Sequence, residues 1–182
     1  MVVDFSISPV IQRPLYVNGE LVELLEEYKY LGTILDDKFS FNQNGDAVYK
    51  KLNSRKYFVR KLSKLGIETK IMNLFYSAII QSVMSFSITC WYGNCSLEVR
   101  GKLPRIIRNC VKLGVGNTTS LDEIYNKSTS HRSEVINSDP SHPLNSSYHM
   151  LPSGRRWRSI QCRTSRYHKS FVPASIRSLN SK

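Results

Sequence analysis

Between Lys70 and Glu98 the chain carries no acidic or basic side chain. A stretch of that length either crosses a membrane or lies inside a protein. Ile71, Met72, Leu74, Phe75, Ile79, Val83, Met84 and Phe86 give it apolar bulk, but Asn73, Ser77, Gln81, Ser82, Ser85, Ser87 and Thr89 interrupt it at short intervals. In lipid those groups would have too few hydrogen-bond partners. The pattern therefore predicts a buried core helix over about 70–91, capped by Thr69.

A helix is expected just before it, from about Asn44 to Leu65, with Gly66 as its stop. At about 100° per residue, Val48, Leu52, Phe58, Val59, Leu62 and Leu65 share one arc, which would dock on the apolar segment. Lys50, Lys56, Arg60, Lys61 and Lys64 share the opposite arc, with Tyr49 and Tyr57 among them. Lys51 and Arg55 break the apolar arc and are expected to snorkel past its edge. A third helix, about Leu97–Leu113, has Ser96 as cap and Gly114 as stop. Leu103, Ile106, Ile107, Cys110 and Val111 form its stripe, Arg100, Lys102, Arg105, Arg108 and Lys112 make it basic, and Pro104 should kink it or shift its start. Ser120-Leu121-Asp122-Glu123 has the capping-box pattern, which predicts a short fourth helix including Ile124 and Tyr125.

Ahead of the helices the pattern is extended. Val3, Phe5 and Ile7 alternate with Asp4 and Ser6, Asn18-Gly19 separates two short apolar runs as in a hairpin turn, and Tyr28 to Leu35 is a third extended run interrupted by Gly32. Residues 1–42 therefore read as a small antiparallel β unit. From residue 126 to 153, Ser, Asn, Thr, Pro and His predominate, which is linker composition. A basic tail follows, with Arg155-Arg156-Trp157-Arg158 and then Arg163, Arg166 and Lys169, ending in a short amphipathic run, Ala174 to Leu179.

Charge is divided as sharply as hydropathy. Residues 1–49 hold eight acids and three bases, residues 50–139 hold fifteen bases and six acids, and residues 140–182 hold eight bases and no acid. The net +12 thus arises wholly after position 49. Such asymmetry predicts a polyanionic partner, and cations interleaved with tyrosines suit a phosphate backbone with exposed bases. A solvated basic face is the plainer alternative. Four cysteines among 182 residues are too few for a disulfide scaffold, and Met1-Val2-Val3-Asp4 does not open like a signal peptide, so an intracellular setting, nuclear or cytoplasmic, is expected.

Signatures of catalysis are missing. No G-x-S-x-G, phosphate-binding P-loop or G-x-G-x-x-G occurs. Asp36-Asp37 is a carboxylate pair of the type that holds metal ions in polymerases, but it lacks the small and aromatic residues expected before it and reads as a turn. Cys90, Cys95, Cys110 and Cys162 contain no Cys-x-x-Cys, and Cys162 with His168 lacks knuckle spacing. Cys90 and Cys110 are expected as small core residues. None of His131, His142, His149 and His168 begins a His-x-Asp motif, so the facial triad of an iron oxygenase cannot be assembled.

The segment Glu27-Tyr28-Lys29-Tyr30-Leu31-Gly32-Thr33-Ile34-Leu35-Asp36-Asp37-Lys38 resembles a part of non-LTR (LINE-type) retrotransposon reverse transcriptases just after the catalytic palm. Arg60-Lys61-Leu62 and Phe75-Tyr76-Ser77 fall where that family's thumb helices lie, and Asp139-Pro140-Ser141-His142-Pro143-Leu144, Leu151-Pro152-Ser153-Gly154-Arg155-Arg156 and Ser170-Phe171-Val172-Pro173-Ala174 are similar to its carboxyl-terminal tail. The resemblance implies that Tyr30, Leu31 and Gly32 shape a primer grip, and that the metal-binding aspartates of a palm would lie upstream of Met1. Residues about 20–60 also resemble the amino-terminal domain of AlkB homologue eight. That family implies modification of tRNA wobble uridine by an oxygenase and a methyltransferase, for which this chain offers neither a facial triad nor a glycine-rich cofactor loop.

Together these readings predict an α+β fold: the β unit over 1–42, a thumb-like bundle of three or four helices over 43–125, and a Ser/Pro-rich linker with a basic, partly disordered tail over 126–182. The expected function is non-enzymatic binding of RNA or an RNA–DNA hybrid, with no cofactor, metal, membrane or small-molecule substrate. Lys50, Lys56, Arg60, Lys61 and Lys64 would contact phosphates, Tyr49 and Tyr57 would stack on bases, and Arg155, Arg156 and Arg158 would hold RNA loosely. The alternatives are an AlkB-homologue-like accessory to tRNA modification and a genomic remnant without specific binding.

Overall fold

A computed structural model describes Val3, Phe5 and residues 14–181. The expected strand over Val3, Phe5 and Ile7 lies outside the continuously described residues. The fold is α+β: two small antiparallel strand pairs precede a set of helices. Strands β1 (Tyr16–Val17) and β2 (Glu20–Leu21) pair through Asn18-Gly19, whose φ values of 52° and 82° are those of a type I′ hairpin turn. The run from Tyr28 to Leu35 is not one strand but two, β3 (Glu27–Tyr30) and β4 (Thr33–Asp36), which fold back at Leu31-Gly32. Both turn residues have positive φ, 44° and 85°, so Gly32 marks the second position of another hairpin turn, not an interruption.

Asp36 then governs the way into the helices. Its buried carboxylate accepts hydrogen bonds from the backbone N–H of Lys38 (3.1 Å), Ser40 (2.9 Å) and Phe41 (2.7 Å), and from the Ser40 hydroxyl (3.2 Å). The turn reading of Asp36-Asp37 therefore holds, with a structural purpose. The carboxylate supports two left-handed residues, Phe39 (φ 48°) and Phe41 (φ 56°), immediately before helix α1 (Asn42–Lys64). Asn44, inside the first turn of α1, accepts from Ile34 N–H at 3.0 Å and ties β4 to the helix.

Helix α1 ends at the expected Gly66 (φ 69°), but its arcs need correction. Leu52 and Val59 are buried, and Val48 and Leu62 pack at the core edge, whereas Phe58 and Leu65 are 52% and 73% exposed. Gly45, silent in the hydrophobic pattern, is buried: a Cβ there would clash with a Val99 methyl. Helix α5 (Leu97–Lys112) crosses α1 at that point.

The uncharged segment is not one regular helix. It comprises α2 (Thr69–Phe75), a π-helical turn (Tyr76–Gln81), α3 (Ser82–Ser85) and, after the left-handed Ser87 (φ 49°), α4 (Ile88–Trp91). Thr69 is the first helical residue and makes no cap bond; Glu68 holds the cap position. Met72, Tyr76, Ile80, Met84, Ile88 and Trp91 are buried, while Ile71, Leu74 and Phe86 are exposed, so burial covers one side only. Over Thr69–Trp91 the segment is long and apolar enough to cross a membrane by length and composition. Arg55 donates from Nη1 to the Ile79 carbonyl at 2.7 Å, within the π turn. A π turn leaves carbonyls without their usual partners, so Arg55 has a specific acceptor and does not simply reach for solvent.

Ser96 caps α5 by accepting from Val99 N–H at 3.4 Å. The helix starts at Leu97 as expected and includes Pro104, and Val111, expected in its stripe, is exposed. The capping box at Ser120 is fully formed: the Ser120 hydroxyl accepts from Glu123 N–H and the Glu123 carboxylate accepts from Ser120 N–H, both at 3.2 Å. The helix it starts, α6 (Leu121–Ser138), is long, so residues 126–138 are not linker. Its inner face uses Thr129 and Ser133 beside Leu121, Ile124 and Ile136. Small polar residues there allow close packing but conceal the apolar period.

The basic tail is folded as well. Helices α7 (Ser165–Lys169) and α8 (Phe171–Asn180) follow, and α8 packs on α6. Ile136, Tyr148 and Ile176 form a second small core with Trp157, Ile160, Phe171, Val172 and Leu179 around it. Tyr148 Oη and Ser175 Oγ lie 2.7 Å apart within it, and Asn180 makes a reciprocal pair with the Trp157 backbone (2.8 and 3.0 Å).

Candidate nucleic-acid interface

The orientation of α1 against α5 decides which cations share a surface. At their starts, Ser96 N–H donates to Asn42 Oδ1 (2.8 Å) and the Cys95 thiol to the Phe41 carbonyl (3.2 Å). One turn on, Gly45 meets Val99 and Asp46 accepts from Lys102 at 3.1 Å. Further along, the Lys56 ammonium acts on Cys110, opposing the burial that pushes that thiol up to about 11. Contacts that advance together along both helices mean that α1 and α5 run parallel. With a rotation of about 100° per residue, Lys56, Arg60 and Lys64 lie on the side of α1 toward α5, while on α5 the side toward α1 carries Lys102 and Asn109, with Arg105 next to it and Arg108 and Lys112 on the exposed outer face.

Along this seam the carboxylates lie at one end. Lys102 bridges Asp46 and Glu98 (3.1 and 2.9 Å), and its charged form is favoured first by Glu98 and then by Asp46. Arg100 pairs with Asp122 at 2.9 Å. Among the described residues no carboxylate pairs with Lys50, Arg60, Lys61, Lys64, Arg105, Arg108 or Lys112. The far half of the seam is therefore a run of uncompensated positive charge, an arrangement suited to successive phosphates.

The expected contact residues fall into three places. Lys50, Arg60, Lys61 and Lys64 are exposed on α1, and Lys56 is half-buried with its ammonium donating to Asn53 at 2.7 Å. Tyr57 is exposed with the Lys61 ammonium 5.4 Å from its ring centre, so the pair presents a face and a charge together. Tyr49 differs: it is half-buried against the core. Tyr30, Leu31 and Gly32 occupy the exposed β3–β4 turn, where a Cβ on Gly32 would lie 3.2 Å from Phe86. Gly32 shares a crevice with Lys51, Arg55 and Phe86, on the flank of α1 away from the basic seam. Arg155, Arg156 and Arg158 project from a backbone clip closed by Leu151 N–H to Arg156 O (2.8 Å) and Arg158 N–H to His149 O (2.7 Å). That clip adjoins the second core, through Trp157, whereas α1 belongs to the first. Arg105, Arg108 and Lys112 were legible as a basic α5 face and are exposed there.

Cys110 and Cys95 are buried, but Cys90 is exposed and is not a core residue. Burial pushes Cys95 up to about 12. Among the described residues no group of three or more His, Cys, Asp or Glu side chains is placed to hold a metal ion.

The family model described as "Alkylated DNA repair protein alkB homolog 8, N-terminal" matches residues 41–82. The match takes in all of α1 and continues through α2 and the π turn. It begins after the Tyr30-Leu31-Gly32 turn, and so coincides with the resemblance expected over 20–60 only from residue 41 onward. No curated protein and no solved structure matches the chain. The comparisons thus support the AlkB-homologue resemblance and lend none to the reverse-transcriptase one.

Proposed function

We propose that the chain is a non-catalytic RNA-binding module, with the α1–α5 seam as its contact surface and structured RNA of the tRNA type as its substrate class. The observation that carries this is a set of exposed cations without a carboxylate partner among the described residues, Arg60 and Lys64 on α1 and Arg105, Arg108 and Lys112 on the parallel α5. The tRNA assignment rests on what the AlkB-homologue resemblance implies, and the family match supports that resemblance over α1, a helix of the proposed surface. In this reading the module positions RNA, and any oxygenase or methyltransferase chemistry belongs to another polypeptide or domain.

A second reading has its own observation. The exposed β3–β4 turn, with Gly32 set against Phe86, presents the Tyr30-Leu31-Gly32 sequence that resembles the primer grip of a non-LTR reverse transcriptase. That reading makes the chain a thumb-and-tail fragment without polymerase activity and with an RNA–DNA hybrid as ligand. Gel-shift competition separates the two. Unlabelled tRNA should displace a labelled tRNA at lower concentration than an RNA–DNA hybrid of equal length does. Preference for the hybrid would favour the fragment reading, and equal weak binding of both would leave only a remnant.

A further inference from the structure

A cleft of about 910 Å³ opens where α6 meets α7 and α8, remote from the Arg60–Lys112 half of the seam. Its walls carry Arg100, Lys127, His131, Lys169 and Arg177, with Glu134 as the carboxylate among the described lining residues. The floor is built by close approach. A Cβ on Gly93 would lie 2.7 Å from the Lys169 carbonyl and 2.9 Å from the Tyr125 hydroxyl, so only glycine lets that backbone and that ring come together. Ser130 and Ser178, facing each other at 3.4 Å, add hydroxyls to the same walls.

The cations are not equally committed. Arg100 is engaged by Asp122 and lies over the Tyr92 ring at 4.3 Å; Arg177 donates to the His168 carbonyl at 2.8 Å and pairs with no carboxylate among the described residues. Lys127 and Lys169 pair with no carboxylate among the described residues. Burial raises the Tyr125 hydroxyl, while Thr129, Arg100 and Arg177 pull against it, so both guanidinium groups act at the cleft floor. Converging cations over a floor of hydroxyls, in a cavity large enough for a nucleotide, match a doubly charged group with several acceptor oxygens.

From this geometry we infer that the α6–α8 cleft binds a phosphomonoester, held by Lys127, Lys169 and Arg177 with Tyr125 beneath it. The group could be carried by a free nucleotide or by the end of a polynucleotide. This site goes beyond the RNA-binding seam and does not depend on it.

Calorimetric titration of the full chain tests it with four probes: adenosine 5′-monophosphate, adenosine, and a hexaribonucleotide with and without a 5′-phosphate. At least one phosphorylated probe should bind about tenfold more tightly than its unphosphorylated counterpart, the advantage of a single lost charge-assisted contact being of that order. Binding of the mononucleotide identifies a free nucleotide as the source; binding of the phosphorylated hexamer alone identifies a polynucleotide end. The double substitution Lys127→Ala/Lys169→Ala, at two exposed positions, should remove the advantage with an unchanged circular dichroism spectrum, and Lys127→Gln should reduce it. Lys64→Ala should leave it intact while weakening tRNA binding. No phosphate-dependent advantage, or one that survives the double substitution, overturns the inference.

Discussion

Asp36→Ala tests how the β hairpin is joined to the helices. The substitution removes one acceptor group that serves three backbone N–H donors and one hydroxyl. The donors do not suffer alike. Lys38 is exposed and Ser40 partly so, and water can replace the carboxylate for both; Phe41 is 4% exposed and its N–H is left without a partner. An orphaned buried donor costs about 1–3 kcal/mol. The Lys38 and Ser40 bonds to a charged acceptor, exchanged for bonds to water, add about 1 kcal/mol. A loss near 3 kcal/mol follows, a large share of a typical stability of about 5–15 kcal/mol. Asp36→Asn keeps one acceptor oxygen and should lose roughly half as much. Urea unfolding followed by helical circular dichroism measures both. If Asp36→Ala shifts stability by less than about 1 kcal/mol, the carboxylate does not organise this junction.

Other consequences are equally concrete. Gly45→Ala should destabilise by about 1–3 kcal/mol because its methyl would meet Val99, whereas Gly101→Ala, with nothing within 4 Å, should stabilise by up to about 1 kcal/mol; chemical denaturation gives both signs. Tyr148→Phe should cost about 1–2 kcal/mol, since Ser175 already donates to Val172 O (2.8 Å) and the Tyr148 hydroxyl is then the donor to Ser175. Thermal melts across pH should fall on the alkaline side. Cys95 rises from 9.0 to about 12, Cys110 from 9.0 to about 11 and Tyr76 from 10.0 to about 12, all by burial. The folded state thus keeps protons that the unfolded chain releases, so stability is complete below about pH 9 and declines through about pH 11–12. A thiol reagent at neutral pH should accordingly modify exposed Cys90 well before Cys95 or Cys110.

Much of the architecture was legible where one local signal governs one local structure. Asn18-Gly19, Gly66, Ser96 and the Ser120–Glu123 box each mark a turn or a helix end and sit where they were expected. The signals that misled were averages. Serine and threonine in 126–138 read as linker, yet Thr129 and Ser133 are buried where α6 meets its neighbours. The uncharged run read as one buried helix, yet the π turn and Ser87 redirect it and leave Ile71, Leu74 and Phe86 outside. For the candidate site, helical periodicity found the exposed α1 cations but placed Phe58 and Leu65 on the wrong side and Tyr49 on the outer one. Periodicity within a helix also says nothing of its neighbour: that α5 runs parallel to α1 follows from Asn42, Gly45 and Asp46, whose partners lie more than fifty residues away.

Salt dependence of tRNA binding, compared between the native chain and an Arg60→Ala/Arg108→Ala/Lys112→Ala variant, addresses the seam itself. With about six phosphates engaged, log affinity should fall against log salt with a slope of roughly −4 to −5, or about 250- to 1,000-fold from about 50 to 200 mM. Losing three contacts should make that slope shallower by about 2–3. The same slope in both proteins would mean that the polynucleotide is held somewhere other than between α1 and α5.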